Sequence, residues 1–358
     1  MTFDLILVGF GHVAQRFVTL LQEQRARISG AYGFDGRVIA VCTQRHGRVF
    51  SEHGLDASAL LERRRRGESV GAECLDLSTV DFIRDIARRV PSAPESRLVV
   101  VETTTLDIAR GQPALDHVRA ALECGAHVVT ANKGPAAFAY HALAAAAEVA
   151  GRQFLFEGAV MDGIPIFNLA RETLPAVEIV AFRGIVNTTT NYMLTAMEEG
   201  QPFDAALADM KAAGIAEADA SLDVDGWDAA AKTAALANVL LCARITPHEV
   251  VREGISASTA ARAVAARAAR RRLKLVASAA RGERAVSASV GLRELAADDL
   301  LAGLEGQQNG IIFQTDLLGE LAIVQRGSGL TQTAYALLSD LISIARQGRA
   351  HKSAPTTA

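Results

Sequence analysis

Residues 3–24 read FDLILVGFGHVAQRFVTLLQEQ, and this stretch decides the fold. The branched apolar run at 3–9 predicts a strand buried on both faces, as in a parallel sheet. A glycine turn follows, then a helix from RFVTLLQEQ. Strand, glycine turn and helix in that order are the context a dinucleotide-binding fingerprint demands. Gly9 permits the tight turn, Gly11 lets a pyrophosphate approach the backbone, and Ala14 fills the third small position. His12 and Val13 complete the turn, where free N–H groups and the helix dipole would meet phosphates. The alternative is a glycine-rich turn with no ligand.

The next strand, RVIAVCTQ (37–44), ends without the carboxylate that would hold the ribose hydroxyls of NAD. Basic residues stand there instead, and Arg45 can pair bidentately with a 2′-phosphate. NADP is therefore favoured over NAD. The basic run ERRRRGE (62–68) reads as a solvated face without function. A helix is expected at 78–90 with Ser78 as its cap. The strand RLVVVETTT (97–105) would carry Thr103 and Thr104 to the nicotinamide side, since ligands sit at the carboxyl ends of parallel strands. AHVVTANKG (126–134) delivers Asn132 and Lys133 to the same edge, where Lys133 is either a phosphate or substrate contact or a surface lysine.

After a helix at 135–150, a strand carries Glu157 into the turn GAVMDGIP. Exposed carbonyls beside one carboxylate suit a hard cation, and an ordinary tight loop is the alternative. The strand IVAFRGIV (179–186) runs into NTTTNYMLTAM, where Asn187, Thr189 and Asn191 could hold a small polar ligand or cap a helix. EADASLDVDGWDAAAK (217–232) packs five carboxylates and one lysine ahead of an apolar helix. Asp228 and Lys232, four apart, share a helical face. Alone, that stretch reads as a capped helix with a surface ion pair. Residues 246–272 are expected to be helical, with Arg270–Arg272 complementing the helix dipole. Short strands of an antiparallel or mixed sheet follow, with a helix between the first two. RGSGLTQTAYALLSDLISIAR gives a second glycine turn, with Gly329, and a helix that returns to the first domain.

Composition limits the function classes. Half the residues are hydrophobic and the net charge is −3, which excludes a disordered chain and gives no nucleic-acid footprint. Cys42, Cys74, Cys124 and Cys242 lack a CxxC spacing and read as reduced core thiols of a cytoplasmic protein. Neither a signal peptide nor a membrane span is indicated.

In this order the motifs resemble homoserine dehydrogenase, over nearly the whole chain. The likeness is carried by GFGHVA (9–14), TANK (130–133), FEGAVMDGIP (156–165), GIVNTTTNYML (184–194), AEADASLDVDGWDAAAK (216–232) and GSGLTQTA (327–334). It is closest to the short form without a regulatory C-terminal domain. The resemblance implies an α/β protein: a Rossmann-type doubly wound nucleotide-binding domain (1–134, completed by 327–347) and a second α+β catalytic and dimerisation domain (135–326); the tail (348–358) reads as disordered from its sequence. It implies reversible NAD(P)H-dependent reduction of L-aspartate 4-semialdehyde to L-homoserine, in threonine, methionine and isoleucine biosynthesis, by a homodimer. Lys232 matches the catalytic lysine and Asp228 a second acid of the site. Glu217 matches a substrate-binding acid, Asn187 and Thr189 lie in the substrate motif, and Lys133 matches a lysine at the cofactor–substrate junction. Glu157, with the carbonyls of Val160, Asp162 and Ile164, matches a monovalent cation site, usually sodium. Asp162, Thr188 and Ala220 depart from the family's usual residues.

Overall fold

The computed structural model describes residues 1–71, 77–90, 97–212 and 220–353, with side chains as far as residue 348. The chain divides into two compact units. The first takes Met1–Pro135, Ala139–Gly163 and the residues from Gly329 onward; the second takes Ala136–Phe138 and Ile164–Ser328.

The first unit is built on a six-stranded sheet in the order β3-β2-β1-β4-β5-β6. Its strands are β1 (Thr2–Val8), β2 (Asp35–Cys42), β3 (Arg48–Phe50), β4 (Leu98–Glu102), β5 (His127–Thr130) and β6 (Phe154–Leu155). All neighbours are parallel except β2 and β3. The helices are α1 (His12–Glu23), α2 (Arg25–Tyr32), α3 (Ala57–Arg65), α4 (Thr79–Arg89), α5 (Ala114–Glu123) and α6 (Gly134–Ala150), the last kinked at Ala139. Buried residues run continuously through the ends of β1, β2 and β4, as a sheet covered on both faces requires. This is the Rossmann-type arrangement.

In the second unit the sheet runs β12-β11-β7-β9-β10-β8. It comprises β7 (Ile179–Ile185), β8 (Val251–Arg252), β9 (Arg271–Arg281), β10 (Val286–Ala296), β11 (Asn309–Thr315) and β12 (Gly319–Gln325). Every pair is antiparallel except β8 with β10. Its helices are α7 (Ile166–Asn168), α8 (Thr188–Glu198), α9 (Phe203–Ala212), α10 (Ser221–Val224), α11 (Trp227–Leu240) and α12 (Ala257–Ala268). The last helix, α13 (Leu330–Ser353), belongs to the first unit. Leu337, Leu338 and Leu341 of α13 join Ala14, Phe17 and Val18 of α1 in one core, and Arg16 donates to the Thr331 hydroxyl at 3.0 Å.

Three expectations are corrected here. Residues 246–272 are not one helix. Glu249 folds back on the Thr246 N–H at 2.8 Å to close a single 3₁₀ turn, β8 follows, and α12 starts from its own capping box at Ser256. Arg270 adopts φ +54°, and Arg271 and Arg272 open β9 rather than close a helix. Helix-forming Ala and Arg concealed a strand whose Leu273 and Leu275 are buried; tertiary pairing overrode propensity. No helix joins β10 to β11, only turns. Of the tail expected over 348–358, residues 354–358 lie outside the described residues. Of the cysteines, Cys42 is buried, Cys124 half-buried and Cys242 exposed, so only the first is a core thiol; Cys74 lies outside the described residues.

Candidate functional site

Strand order in the first sheet reverses between β1 and β4, the topological switch point at which a doubly wound sheet opens a crevice. A cavity of about 720 Å³ lies there. Gly9, Gly11, His12, Arg45, Thr103 and Thr104 all line it. The two glycines do different work. Gly9 has φ +89°, and a Cβ on it would sit 2.9 Å from the Thr103 backbone. A Cβ on Gly11 would meet nothing within 4 Å. Gly11 is also the N-cap of α1 and offers no side-chain cap, so the first-turn N–H groups stay open to a ligand.

Arg64 of α3 lines the same cavity, although its run of arginines suggested only a solvated face. That description holds for Arg65 and Arg66, which pair with Glu62. Among the described residues the Arg64 Nε is buried without a partner, while Nη1 donates to Glu68 O at 2.6 Å. Val13 does not line the cavity; its side chain packs on the core. Lys133 and Gly329 do not line it either: Lys133 is the N-cap of α6, and Gly329 immediately precedes α13. Asn132 ties these strand ends together, donating to Thr104 O at 2.9 Å and accepting from Gly134 N–H at 2.8 Å.

The second unit gathers a different set. Asn187 caps α8, its Oδ1 accepting from Thr190 N–H at 2.8 Å. Its Nδ2 donates to Asp223 Oδ1 at 2.7 Å and to Asp228 Oδ2 at 2.9 Å. The Lys232 ammonium lies 2.9 Å from that same Asp228 oxygen and donates to Val186 O at 2.8 Å. Gly226, at φ +78°, makes the corner between α10 and α11 that brings Asp223 beside Asp228. Burial first, and then the Asp228 charge, push the Asp223 carboxyl above the usual range, against the opposing pull of Asn187 and Lys232. Asp223 was not singled out from the sequence. Five residues from Asp228 it shares no face of a continuous helix, and only the glycine corner joins the two. Thr189 is buried in the first turn of α8. Glu217 lies outside the described residues.

Behind this cluster, Thr188, Asn191, Thr195 and Glu198 form a polar stripe on α8. The Asn191 amide donates to the carbonyls of Leu304, Gly306 and Gln308 at 3.0–3.2 Å. Lys274, fully buried on β9, donates to Leu304 O at 2.6 Å and to Asn191 Oδ1 at 3.2 Å. Burial lowers its pKa to about 8, with Glu198 opposing.

In the turn after β6, Glu157 is buried and its N–H donates to Asp340 Oδ2 at 2.9 Å. Asp162 has φ +50°, and its carboxylate accepts from the Thr333 hydroxyl at 3.0 Å. Ile164 O already accepts from Ile166 N–H at 2.9 Å. Among the described residues no group of three or more His, Cys, Asp or Glu side chains converges on a metal position. A cation here would rest on carbonyls with one carboxylate, a donor set suited to a hard ion of low charge.

The family model described as homoserine dehydrogenase matches residues 165–342, and that described as homoserine dehydrogenase, NAD binding domain, matches 9–157. An NAD(+)-dependent homoserine dehydrogenase of Pseudomonas canavaninivorans is 38% identical over 96% of each chain. A homoserine dehydrogenase structure from Thiobacillus denitrificans superposes with a TM-score of 0.81 at 28% identity, covering 99% of this chain and 76% of that one. A hyperthermophilic archaeal homoserine dehydrogenase in complex with NADPH gives 0.79 at 28% identity, over 97% and 98%. Among the described residues no helix is long and apolar enough to cross a membrane.

Proposed function

This chain belongs to the homoserine dehydrogenase family, an oxidoreductase family, and we propose that it interconverts L-aspartate 4-semialdehyde and L-homoserine with NADP(H). When bound, the nicotinamide supplies the hydride that goes to the aldehyde carbon. Lys232 polarises the carbonyl oxygen and donates the proton that the developing alkoxide needs; as a neutral amine it takes that proton back in oxidation. The observation that carries this reading is the Lys232 ammonium, fixed at 2.9 Å by Asp228 and at 2.8 Å by Val186 O. A lysine so fixed is an oriented donor rather than a solvated charge.

Glu217 and Asp223 take the substrate's α-ammonium, with Asn187 and Thr189 orienting it. An arriving cation relieves the repulsion between Asp223 and Asp228, so the site favours an amino acid over a plain aldehyde. Lys133 takes the α-carboxylate. Gly9, Gly11 and His12 cradle the pyrophosphate, Thr103 and Thr104 face the nicotinamide half, and Arg45 with Arg64 meets a 2′-phosphate. NAD is the second reading, favoured by the name of the Pseudomonas relative. Sodium would be held through Glu157 and the carbonyls of Val160, Asp162 and Ile164. The proposed enzyme is a cytoplasmic homodimer.

Homoserine-dependent reduction of NADP+, followed by absorbance with and without sodium, tests the reading. Absence of reduction with homoserine, where another amino acid gives it, overturns the substrate assignment.

A further inference from the structure

His117 of α5 lines the nucleotide cavity and is only 3% exposed. Here Nδ1 faces Glu102 Oε1 at 3.5 Å, and among the described residues Nε2 has no hydrogen-bond partner. Glu102 is the last residue of β4 and fully buried. Its carboxylate is held from other sides by Thr104 N–H at 3.1 Å, by the Thr104 hydroxyl and by the Thr130 hydroxyl at 3.0 Å. Those donors fix its plane. A carboxylate accepts, so Nδ1 carries a proton; in the neutral imidazole Nε2 is then the acceptor, on a ring that lines the cavity.

We propose that His117 Nε2 accepts a hydrogen bond from an O–H or N–H of the bound dinucleotide, and that Glu102 is the positioning residue that fixes its tautomer. The inference rests on the cofactor reading above. The donors in such a ligand are the ribose hydroxyls and the amide and amine N–H groups. The Glu102 carboxylate thereby joins the Thr103–Thr105 lining, through Thr104, to an imidazole on the neighbouring helix.

NADPH titrated into the full-length chain, with Kd read from fluorescence, tests this. His117→Phe raises Kd about tenfold while KM for homoserine moves less than twofold, and His117→Gln, which keeps an acceptor, recovers part of the loss. Glu102→Gln raises Kd in the parent chain and adds little on the His117→Phe background, because the two residues act in series. The analogue with an acetyl group in place of the carboxamide separates the donors: a His117→Phe penalty that persists with it assigns a ribose hydroxyl or the adenine amine, and one that vanishes assigns the carboxamide. A folded His117→Phe with Kd within twofold of the parent overturns the proposal, as do fully additive effects of the two substitutions. If His117→Phe does not fold, Glu102→Gln decides alone, and an unchanged Kd overturns it. A parent chain that binds no dinucleotide defeats the cofactor reading itself.

Discussion

Lys232 and Asp228 meet at 2.9 Å, one turn apart on α11, and each side chain keeps only 16% of its exposure. A surface i,i+4 pair stabilises a helix by only about 0.3–0.5 kcal/mol. A pair this enclosed, sharing one carboxylate oxygen with the Asn187 amide, holds its ammonium in place. Lys232→Met therefore lowers kcat by about 100- to 10,000-fold while NADPH still binds. Steady-state rates beside a binding titration check it, and a variant within tenfold of the parent rate removes the proton-donor role.

Asp223 titrates with the opposite sign to an ordinary paired carboxylate. Its folded pKa lies above the unfolded value of 3.8, so the folded state holds its proton more tightly. That contribution to stability is present below the unfolded value and is lost as pH rises from there through the folded one. Asp223→Asn thus gains stability relative to the parent as pH rises across the weakly acidic range. It also raises KM for homoserine. Urea midpoints at a series of pH values test the first part, and a parent–variant difference that does not change with pH contradicts it.

Lys274 gives a window at the other end of the scale. Its pKa is lowered from 10.5 to about 8, so the unfolded chain binds the extra proton between those values. The parent therefore gains stability from this group as pH climbs through that interval, by up to about 3 kcal/mol. Lys274→Met removes the gain. Unfolding curves at pH 8 and pH 10 would show the two proteins diverging; parallel behaviour would rule the effect out.

The two fingerprint glycines separate fold from ligand. Gly9→Ala forces a Cβ to 2.9 Å from the Thr103 backbone at φ +89°, and costs about 2–4 kcal/mol of stability. Gly11→Ala meets open space, so it melts within a few degrees of the parent while its NADPH affinity falls. Calorimetry and a Kd titration on the same two variants distinguish the effects.

Arg45→Ala and Arg64→Ala raise KM for NADP by about 10- to 100-fold, the loss of a charge-assisted hydrogen bond to phosphate. KM for NAD changes little. Equal changes for both cofactors would remove the 2′-phosphate assignment.

Strands β1, β2, β4, β5 and β6 were legible in the sequence as apolar runs, the first closed by the glycine turn at 9–11; the three-residue β3 was not. The Lys232–Asp228 pair was legible through its spacing on one helix, and its role only through the family resemblance. Asp223 was not, since the corner that places it beside Asp228 depends on a left-handed Gly226 and on packing against Glu253 O, 3.0 Å from where a Cβ would stand. Strand β9 was hidden by alanine and arginine, whose helix propensity is outweighed by pairing with β7 and β10 on either side. Arg64 was lost among four arginines that look alike in sequence and differ only in which way they face.

Gly9 and Gly11 also carry a historical reading. The first glycine is demanded by the chain's own backbone at Thr103, whatever the protein binds. The second is demanded only by a visitor. A descendant of this chain that kept its sheet but abandoned its cofactor would be free to replace Gly11 and not Gly9. The residue at position 11, taken with that at position 9, thus becomes a marker for telling working dehydrogenases from silent copies of the same fold.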